Sequence, residues 1–120
     1  MNSVKTALVV DDDPSTRLLL QKFLARSGYA VDTANHGGEA VTLLERSDYG
    51  VVMLDLMMPI MDGHGVLDFL RQNRPRQIGR VIIVTAYPRQ LSNTDLGVGA
   101  VVSKPFTLDA LRGVLESVSN

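Results

Sequence analysis

The chain alternates short, continuous apolar runs with longer segments in which apolar residues recur every three or four positions. The runs have strand length, and the longer segments have the periodicity of amphipathic helices. Strands without polar alternation are buried on both faces, which happens when helices cover both sides of a parallel sheet. The pattern therefore predicts a doubly wound α/β fold with right-handed crossover connections.

Five strands and four helices follow from this reading. The strands are residues 6–10, 29–34, 50–54, 80–84 and 100–102. The helices are expected after each of the first three strands and at the end of the chain. Their inward residues are predicted to be Leu19, Leu20, Phe23 and Leu24; Ala40, Val41 and Leu44; Val66, Leu67 and Leu70; and Leu108, Leu111, Leu115 and Val118. A length of 120 residues suits one domain, 1–120.

Composition excludes several classes of function. The formal net charge of −1 gives no sign of a nucleic-acid or membrane surface. The absence of cysteine excludes disulfides, thiolate metal sites and a thiol nucleophile. No apolar run approaches the length of a membrane span, and the first one is too short for a secretory signal. A cytoplasmic location is consistent with these features.

Polar residues follow the predicted strands at their carboxyl ends. The first strand is followed by Asp11–Asp13, the third by Asp55, the fourth by Thr85, and the fifth by a serine and Lys104. Ligands of open parallel sheets bind at this edge. Asp55, which stands in an otherwise apolar stretch, is therefore expected at the rim of the sheet beside the aspartates of the first strand.

These residue types together indicate phosphoryl chemistry. If Asp12 and Asp55 come within about 4 Å, their repulsion is roughly 4 kcal/mol at an effective dielectric constant near 20. A proton on one acid or a cation between them relieves it. Mg²⁺ suits oxygen ligands, and Lys104 supplies a further positive charge. With the hydroxyl of Thr85, the set is typical of phosphoryl transfer onto an aspartate.

Four blocks carry a family resemblance: "VVDDDPSTR", "MLDLMMPIMDG", "VIIVTAY" and "VVSKPF". In this order, each at a strand end, they resemble the signature of the CheY-like response-regulator receiver domain of two-component systems. The resemblance runs from about Lys5 to Val118. It implies a flavodoxin-like fold with five parallel strands in the order 2-1-3-4-5.

The resemblance also implies a phosphoacceptor and a metal site. Asp55 resembles the aspartate that receives the phosphoryl group. Asp12 resembles the direct metal ligand, Asp11 the acid that acts largely through water, and the backbone carbonyl of Met57 the third protein ligand. The implied cofactor is Mg²⁺.

Thr85 and Lys104 resemble the pair that senses the phosphoryl group, and the Lys104–Pro105 peptide is expected to be cis. The implied function is a phosphorylation-switched signalling module in a phosphorelay, and not an enzyme in its own right. Its expected partners are a sensor histidine kinase or phosphotransfer protein and a downstream effector protein or domain. Direct contact with nucleic acid or membrane is not expected.

Several positions depart from the family pattern. Val101 replaces the usual aromatic switch residue and has no ring to rotate. Met57 and Tyr87 stand where the family sets the lifetime of the phosphoryl group, and both are expected to exclude water. Lys104 follows Thr85 by only 19 positions. The segment 87–99 is therefore expected to form a shortened or irregular helix, mobile until phosphorylation or partner binding orders it.

Three other functions compete with this one. A haloacid-dehalogenase-type hydrolase needs a second aspartate two residues after the nucleophile, where this chain has Met57. A nucleotide or flavin site needs a glycine- or hydroxyl-rich loop after the first strand, and "DDDPS" would repel a phosphate. A receiver-like scaffold that is never phosphorylated remains open.

Other polar residues and the methionines are expected to have ordinary structural roles. Asp13, just before a proline, and Asp62, before a glycine, are predicted helix caps. His36 and His64 are expected to be surface or capping residues. Met53, Met57, Met58 and Met61 are expected to pack rather than bind a ligand, since methionine fills irregular gaps.

Overall fold

The computed structural model describes residues 5–58, 63–86 and 96–119. The strands are β1 (Lys5–Val10), β2 (Tyr29–Ala34), β3 (Val51–Leu54), β4 (Val81–Thr85) and β5 (Ala100–Ser103). The helices are α1 (Pro14–Arg26), α2 (Gly37–Arg46), α3 (Gly63–Asn73) and α4 (Leu108–Ser119). A short 3₁₀ helix, Pro75–Arg80, precedes β4 and was not predicted.

All strand pairs are parallel, and the sheet has the order β2-β1-β3-β4-β5. This confirms both the doubly wound fold and the order that the family resemblance implied. Because all five strands run parallel, their carboxyl ends lie along the same edge of the sheet. In the described part of the chain, no helix combines the length and apolar character that a membrane crossing requires.

The core divides into two layers, one on each face of the sheet. Along β1, Leu8 and Val10 pack on one face and Ala7 and Val9 on the other. Because successive strand residues point to opposite faces, a fully apolar strand must be covered on both sides. Helices α2 and α3 supply the first layer, and α1 and α4 supply the second.

The helix caps follow the predicted chemistry. The carboxylate of Asp13 accepts hydrogen bonds from the backbone and hydroxyl of Thr16, and Pro14 begins α1. The imidazole of His36 accepts from the backbone N–H of Glu39 and caps α2. His64 is an exposed residue of α3. The predicted cap Asp62 lies outside the described residues.

Two predicted inward residues are wrong. Leu19 and Leu108 are 44% and 47% exposed. In α1 the buried stripe is Leu20, Phe23 and Leu24, and Leu19 lies one position off it. Leu108 is the first residue of its helix, ahead of the stripe that begins at Leu111.

The segment 87–99 is described only from residue 96 onward. Gly97 has a φ of +76°, the left-handed conformation that glycine adopts without strain. Residues 87–95, including Tyr87, lie outside the described residues. The expectation of a shortened, mobile helix there therefore stays a prediction.

Candidate functional site

The pairing of β1 with β3 places Asp11 and Asp55 side by side. Val10 and Leu54 are register partners at the ends of these strands, and one aspartate follows each. The ladder continues one step further, since the backbone N–H of Asp55 donates to the Val10 carbonyl at 2.9 Å. Asp55 therefore lies at the rim of the sheet beside the end of the first strand, as the sequence predicted.

Three aspartates form one acidic cluster at this rim. Carboxylate oxygens of Asp11, Asp12 and Asp55 lie within 4.8 Å of one another. Asp11 is 1% and Asp55 5% exposed, whereas Asp12 faces solvent. Two carboxylates in so dry a setting are costly unless charge and hydrogen bonds compensate them.

Each buried carboxylate uses one oxygen to hold its own loop. Oδ1 of Asp11 accepts from the backbone N–H of Asp13 at 2.9 Å. Oδ1 of Asp55 accepts from the backbone N–H of Met57 at 3.0 Å. These bonds fix both side chains in place and leave Oδ2 of each directed at a shared cation.

That cation is the ammonium of Lys104, the residue that follows β5 at the rim. Ser103 is the register partner of Thr85, and the next backbone N–H, that of Lys104, donates to the Thr85 carbonyl at 2.7 Å. The Lys104 ammonium lies 2.9 Å from Oδ2 of Asp11 and 3.4 Å from Oδ2 of Asp55. The Lys104–Pro105 peptide is cis, as the family resemblance implied.

The cluster has more carboxylates than positive charges. Burial raises the pKa of Asp55, and Asp11 raises it further, while the Met57 N–H and Lys104 act in the opposite direction. Burial lowers the pKa of Lys104, but its hydrogen bond to Asp11 and the charges of Asp11 and Asp55 raise it above its usual value. The cluster thus holds three acids and one ammonium, which contacts two of them, and this imbalance favours an additional cation.

Thr85 and Met57 complete the set of predicted residues. Thr85 ends β4, between β3 and β5, and is 1% exposed. Met57 lies two positions after Asp55, and it is 58% exposed. The expectation that the methionines near Asp55 pack is confirmed for Met53 and Met58, which are buried, and is wrong for Met57. Met61 lies outside the described residues.

Sequence reasoning missed two residues that support the site. The guanidinium of Arg17 donates to the Asp11 backbone carbonyl at 2.8 Å and ties α1 to the acidic loop. Gly63 begins α3 against the Asp55 loop, and a Cβ there would lie 2.7 Å from Leu56 Cα and 2.8 Å from the Asp55 carbonyl oxygen. The glycine after Asp62 was the available signal for this close approach.

The all-oxygen acidic cluster is typical of a Mg²⁺ site. Three carboxylates at the carboxyl edge of a parallel sheet can hold a hard divalent cation, and a phosphoryl group on Asp55 would lie beside it. The chemistry of the donor set therefore fits the implied ion.

Comparison with known proteins agrees with this chemistry. The sequence profile of the response regulator receiver domain matches residues 7–116. The transcriptional regulatory protein TcrA of Mycobacterium tuberculosis is 36% identical over 115 residues, which are 93% of this chain and 46% of that protein. The probable transcriptional regulator ycf27 of Cyanophora paradoxa is 35% identical over 114 residues, 95% of this chain and 48% of its own length. The chain thus spans about half the length of these relatives.

Solved structures show the same architecture. The response regulator TrrA of Thermotoga maritima, crystallised in complex with Mg²⁺ and BeF, superposes with a TM-score of 0.82 at 33% identity. The match covers 95% of this chain and 98% of that one. By profile, sequence and fold, this chain belongs to the response regulator receiver family of two-component signalling, a family of phosphoacceptor modules and not of true enzymes.

Proposed function

We propose that Asp55 accepts a phosphoryl group from a partner histidine kinase or phosphotransfer protein, and that this shifts the domain to a partner-binding state. The observation that carries the proposal is the placement of Asp55. Its carboxylate is buried at the end of β3, held through Oδ1 and directed through Oδ2 at Lys104. One carboxylate oxygen from each of Asp11 and Asp12 lies within 4.8 Å of a carboxylate oxygen of Asp55.

The transfer needs no nucleophile other than this carboxylate. An oxygen of Asp55 forms the new P–O bond as the P–N bond of a phosphohistidine donor breaks, and the donor imidazole is released. Lys104 and the hydroxyl of Thr85 then hold oxygens of the phosphoryl group. In this proposal the phosphohistidine belongs to the partner: His36 caps α2, and neither His36 nor His64 is part of the acidic cluster.

Mg²⁺ is the cofactor of this proposal. Asp11, Asp12, Asp55 and the backbone carbonyl of Met57 would hold it, and when bound it neutralises charge on the phosphoryl oxygens. TrrA, a relative with the same fold, was crystallised in complex with Mg²⁺ and BeF, which supports a Mg²⁺ site in this chain.

The partners and the setting follow from the same proposal. Relatives that match over about half their length are described as transcriptional regulators, which supports a downstream effector protein or domain as the reader of the phosphorylated state. We treat residues 1–120 as one receiver unit that acts in the cytoplasm, where kinases that use ATP supply phosphohistidine.

A small-molecule phosphodonor tests the assignment without a known kinase. The protein is incubated with acetyl phosphate and Mg²⁺, and its intact mass is measured. We expect one added phosphoryl group, which is lost in Asp55→Asn and retained in Asp109→Asn, a change at an exposed aspartate on α4. Equal labelling of wild type and Asp55→Asn would place the phosphoacceptor elsewhere, and no labelling of any form would favour the unphosphorylated scaffold.

A further inference from the structure

Met57 differs from the other methionines in the described part of the chain. Its residue is 58% exposed, whereas Met53 is 0% and Met58 is 8% exposed. A thioether that faces solvent is open to oxidants, while packed neighbours shield a buried one. Exposure therefore makes Met57 the most accessible of these three sulfur atoms.

Met57 also lies next to the proposed phosphoacceptor. Its backbone N–H donates to Oδ1 of Asp55 at 3.0 Å, so residue 57 is fixed directly beside the proposed phosphoacceptor. The carboxylates of Asp55 and Asp11, by contrast, are almost fully buried. A change in the polarity of the Met57 side chain therefore alters the solvent side of this site.

We propose that Met57 is a redox modification site: hydrogen peroxide converts its thioether to a sulfoxide, and the sulfoxide shortens the lifetime of the phosphoryl group on Asp55. The second part rests on the proposed function. In the oxidation, a sulfur lone pair attacks one peroxide oxygen, the S–O bond forms and the O–O bond breaks. The other oxygen leaves as water after proton transfer, so sulfur loses the two electrons that the peroxide gains.

The sulfoxide acts through the water that hydrolyses the acyl phosphate. A thioether sulfur is only a weak hydrogen-bond acceptor, whereas a sulfoxide oxygen is strongly polar. A polar acceptor at position 57 holds water near Asp55 that an apolar side chain excludes. Water then attacks phosphorus, the bond from phosphorus to the aspartate oxygen breaks, and inorganic phosphate and free carboxylate result.

Peroxide treatment followed by peptide mapping tests the first part. Met53, Met57 and Met58 share one tryptic peptide, so fragment ions of that peptide must locate the added oxygen. We expect Met57 to gain it several-fold faster than Met53 or Met58 under native conditions. In urea the three rates should converge, because unfolding exposes every sulfur. Equal rates in the folded protein would overturn the assignment of Met57 as the preferred site.

Phosphoryl lifetime tests the second part. Protein oxidised under these conditions and untreated protein are labelled with acetyl phosphate and Mg²⁺, and loss of the phosphoryl group is followed by intact mass. We expect several-fold faster loss after oxidation. Met57→Leu should give the same lifetime with and without peroxide, whereas Met58→Leu should keep the response.

The outcomes separate the inference from the function beneath it. Oxidation of Met57 with an unchanged lifetime overturns the proposed consequence, and so does a peroxide response that persists in Met57→Leu. Failure of the untreated protein to label overturns the proposed function and the consequence together, but the map of oxidised methionines still decides the first part.

Discussion

The ammonium of Lys104 lies 2.9 Å from Oδ2 of Asp11, closer than the 3.4 Å that separates it from Oδ2 of Asp55. Asp11 follows β1 and Lys104 follows β5, and β3 and β4 lie between these strands in the sheet. The ion pair therefore reaches across the rim above Asp55. A phosphoryl group on Asp55 would compete with Asp11 for the same ammonium, which couples phosphorylation to the ends of three strands.

Removal of this ammonium should destabilise the metal-free protein. In Lys104→Met, two buried carboxylates lose the cation that compensates them. We expect the free energy of unfolding in EDTA to fall by about 1–3 kcal/mol, the usual penalty for buried polar groups left unpaired. Urea titration monitored by circular dichroism measures this loss in the free energy of unfolding.

Arg112→Met is the matched control for that change. Arg112 pairs with Asp109 on the surface, where both side chains are mostly exposed. Exposed pairs contribute about 0–1 kcal/mol, so the control should lose little stability. Equal losses in the two variants would mean that the pairing at the rim contributes no more than a surface salt bridge.

Added Mg²⁺ should stabilise the protein against heat. A ligand that binds only the folded state at 100 times its Kd stabilises it by about 2.7 kcal/mol. Asp12→Ala removes an exposed carboxylate of the cluster and should reduce the rise in Tm between EDTA and millimolar Mg²⁺. Asp109→Ala should keep the full rise, because that residue lies on α4. A Tm that does not depend on Mg²⁺ would contradict a metal site.

The fold was predictable because its determinants are local. All five strands were placed within one residue at either end. Four of them are mostly apolar runs of strand length, and β2 alternates between exposed and more buried positions. The strand order came from the family resemblance, because periodicity alone does not specify which strands are neighbours. The short helix Pro75–Arg80 was missed because six residues are too few to show a helical period.

The site was predictable as a set of residues but not as a set of contacts. Strand ends placed Asp11, Asp55 and Lys104 on one rim, whereas the preference of Lys104 for Asp11 depends on distances that only the folded chain defines. The contact between Arg17 and the Asp11 carbonyl joins a helix to a loop, and a lone arginine gives no sequence signal for it.

Replacement of Met57 by a polar residue should shorten the phosphoryl lifetime. In Met57→Asn, the amide can orient water beside Asp55, which the thioether cannot do. We expect several-fold faster loss of the phosphoryl group than in wild type, measured by intact mass after removal of the donor. Met57→Leu should stay close to the wild-type rate. A slower or unchanged rate in Met57→Asn would show that this side chain does not control water entry.

Two glycine-to-alanine changes should have opposite effects on stability. At Gly63 a Cβ would lie 2.7 Å from Leu56 Cα and 2.8 Å from the Asp55 carbonyl oxygen, so backbone must move. We expect a loss of about 1–3 kcal/mol and a smaller Mg²⁺ response. At Gly113, inside α4, a Cβ would meet nothing within 4 Å, and alanine should gain about 0.5–1 kcal/mol. Urea titrations of both variants, with and without Mg²⁺, measure these changes in the free energy of unfolding. No loss in Gly63→Ala would mean that the loop accommodates the methyl group.

The ionised carboxylate of Asp55 should lower the free energy of unfolding of the metal-free protein. Burial raises the pKa of Asp55 above its ordinary value of 3.8, so the folded state retains this proton at a pH where the unfolded chain has lost it. Stability therefore falls as pH rises from about 4 through the folded-state pKa, and the full penalty is present above that pKa.

Asp55→Asn should remove that penalty. The amide oxygen can still accept from the Met57 N–H, and Lys104 keeps its pair with Asp11, so the change deletes a buried charge without leaving a partner unpaired. At pH 7 in EDTA we expect a gain of about 1 kcal/mol, in line with other substitutions that exchange function for stability. The gain should shrink as the pH falls toward 4, because wild-type Asp55 then takes up a proton and its charge is lost. The gain should also shrink in saturating Mg²⁺, because the wild type then gains a ligand that the variant binds less well. Urea titrations at pH 4 and 7 measure these differences, and a variant less stable than wild type in EDTA at pH 7 would mean that the Asp55 charge is stabilising in the folded protein.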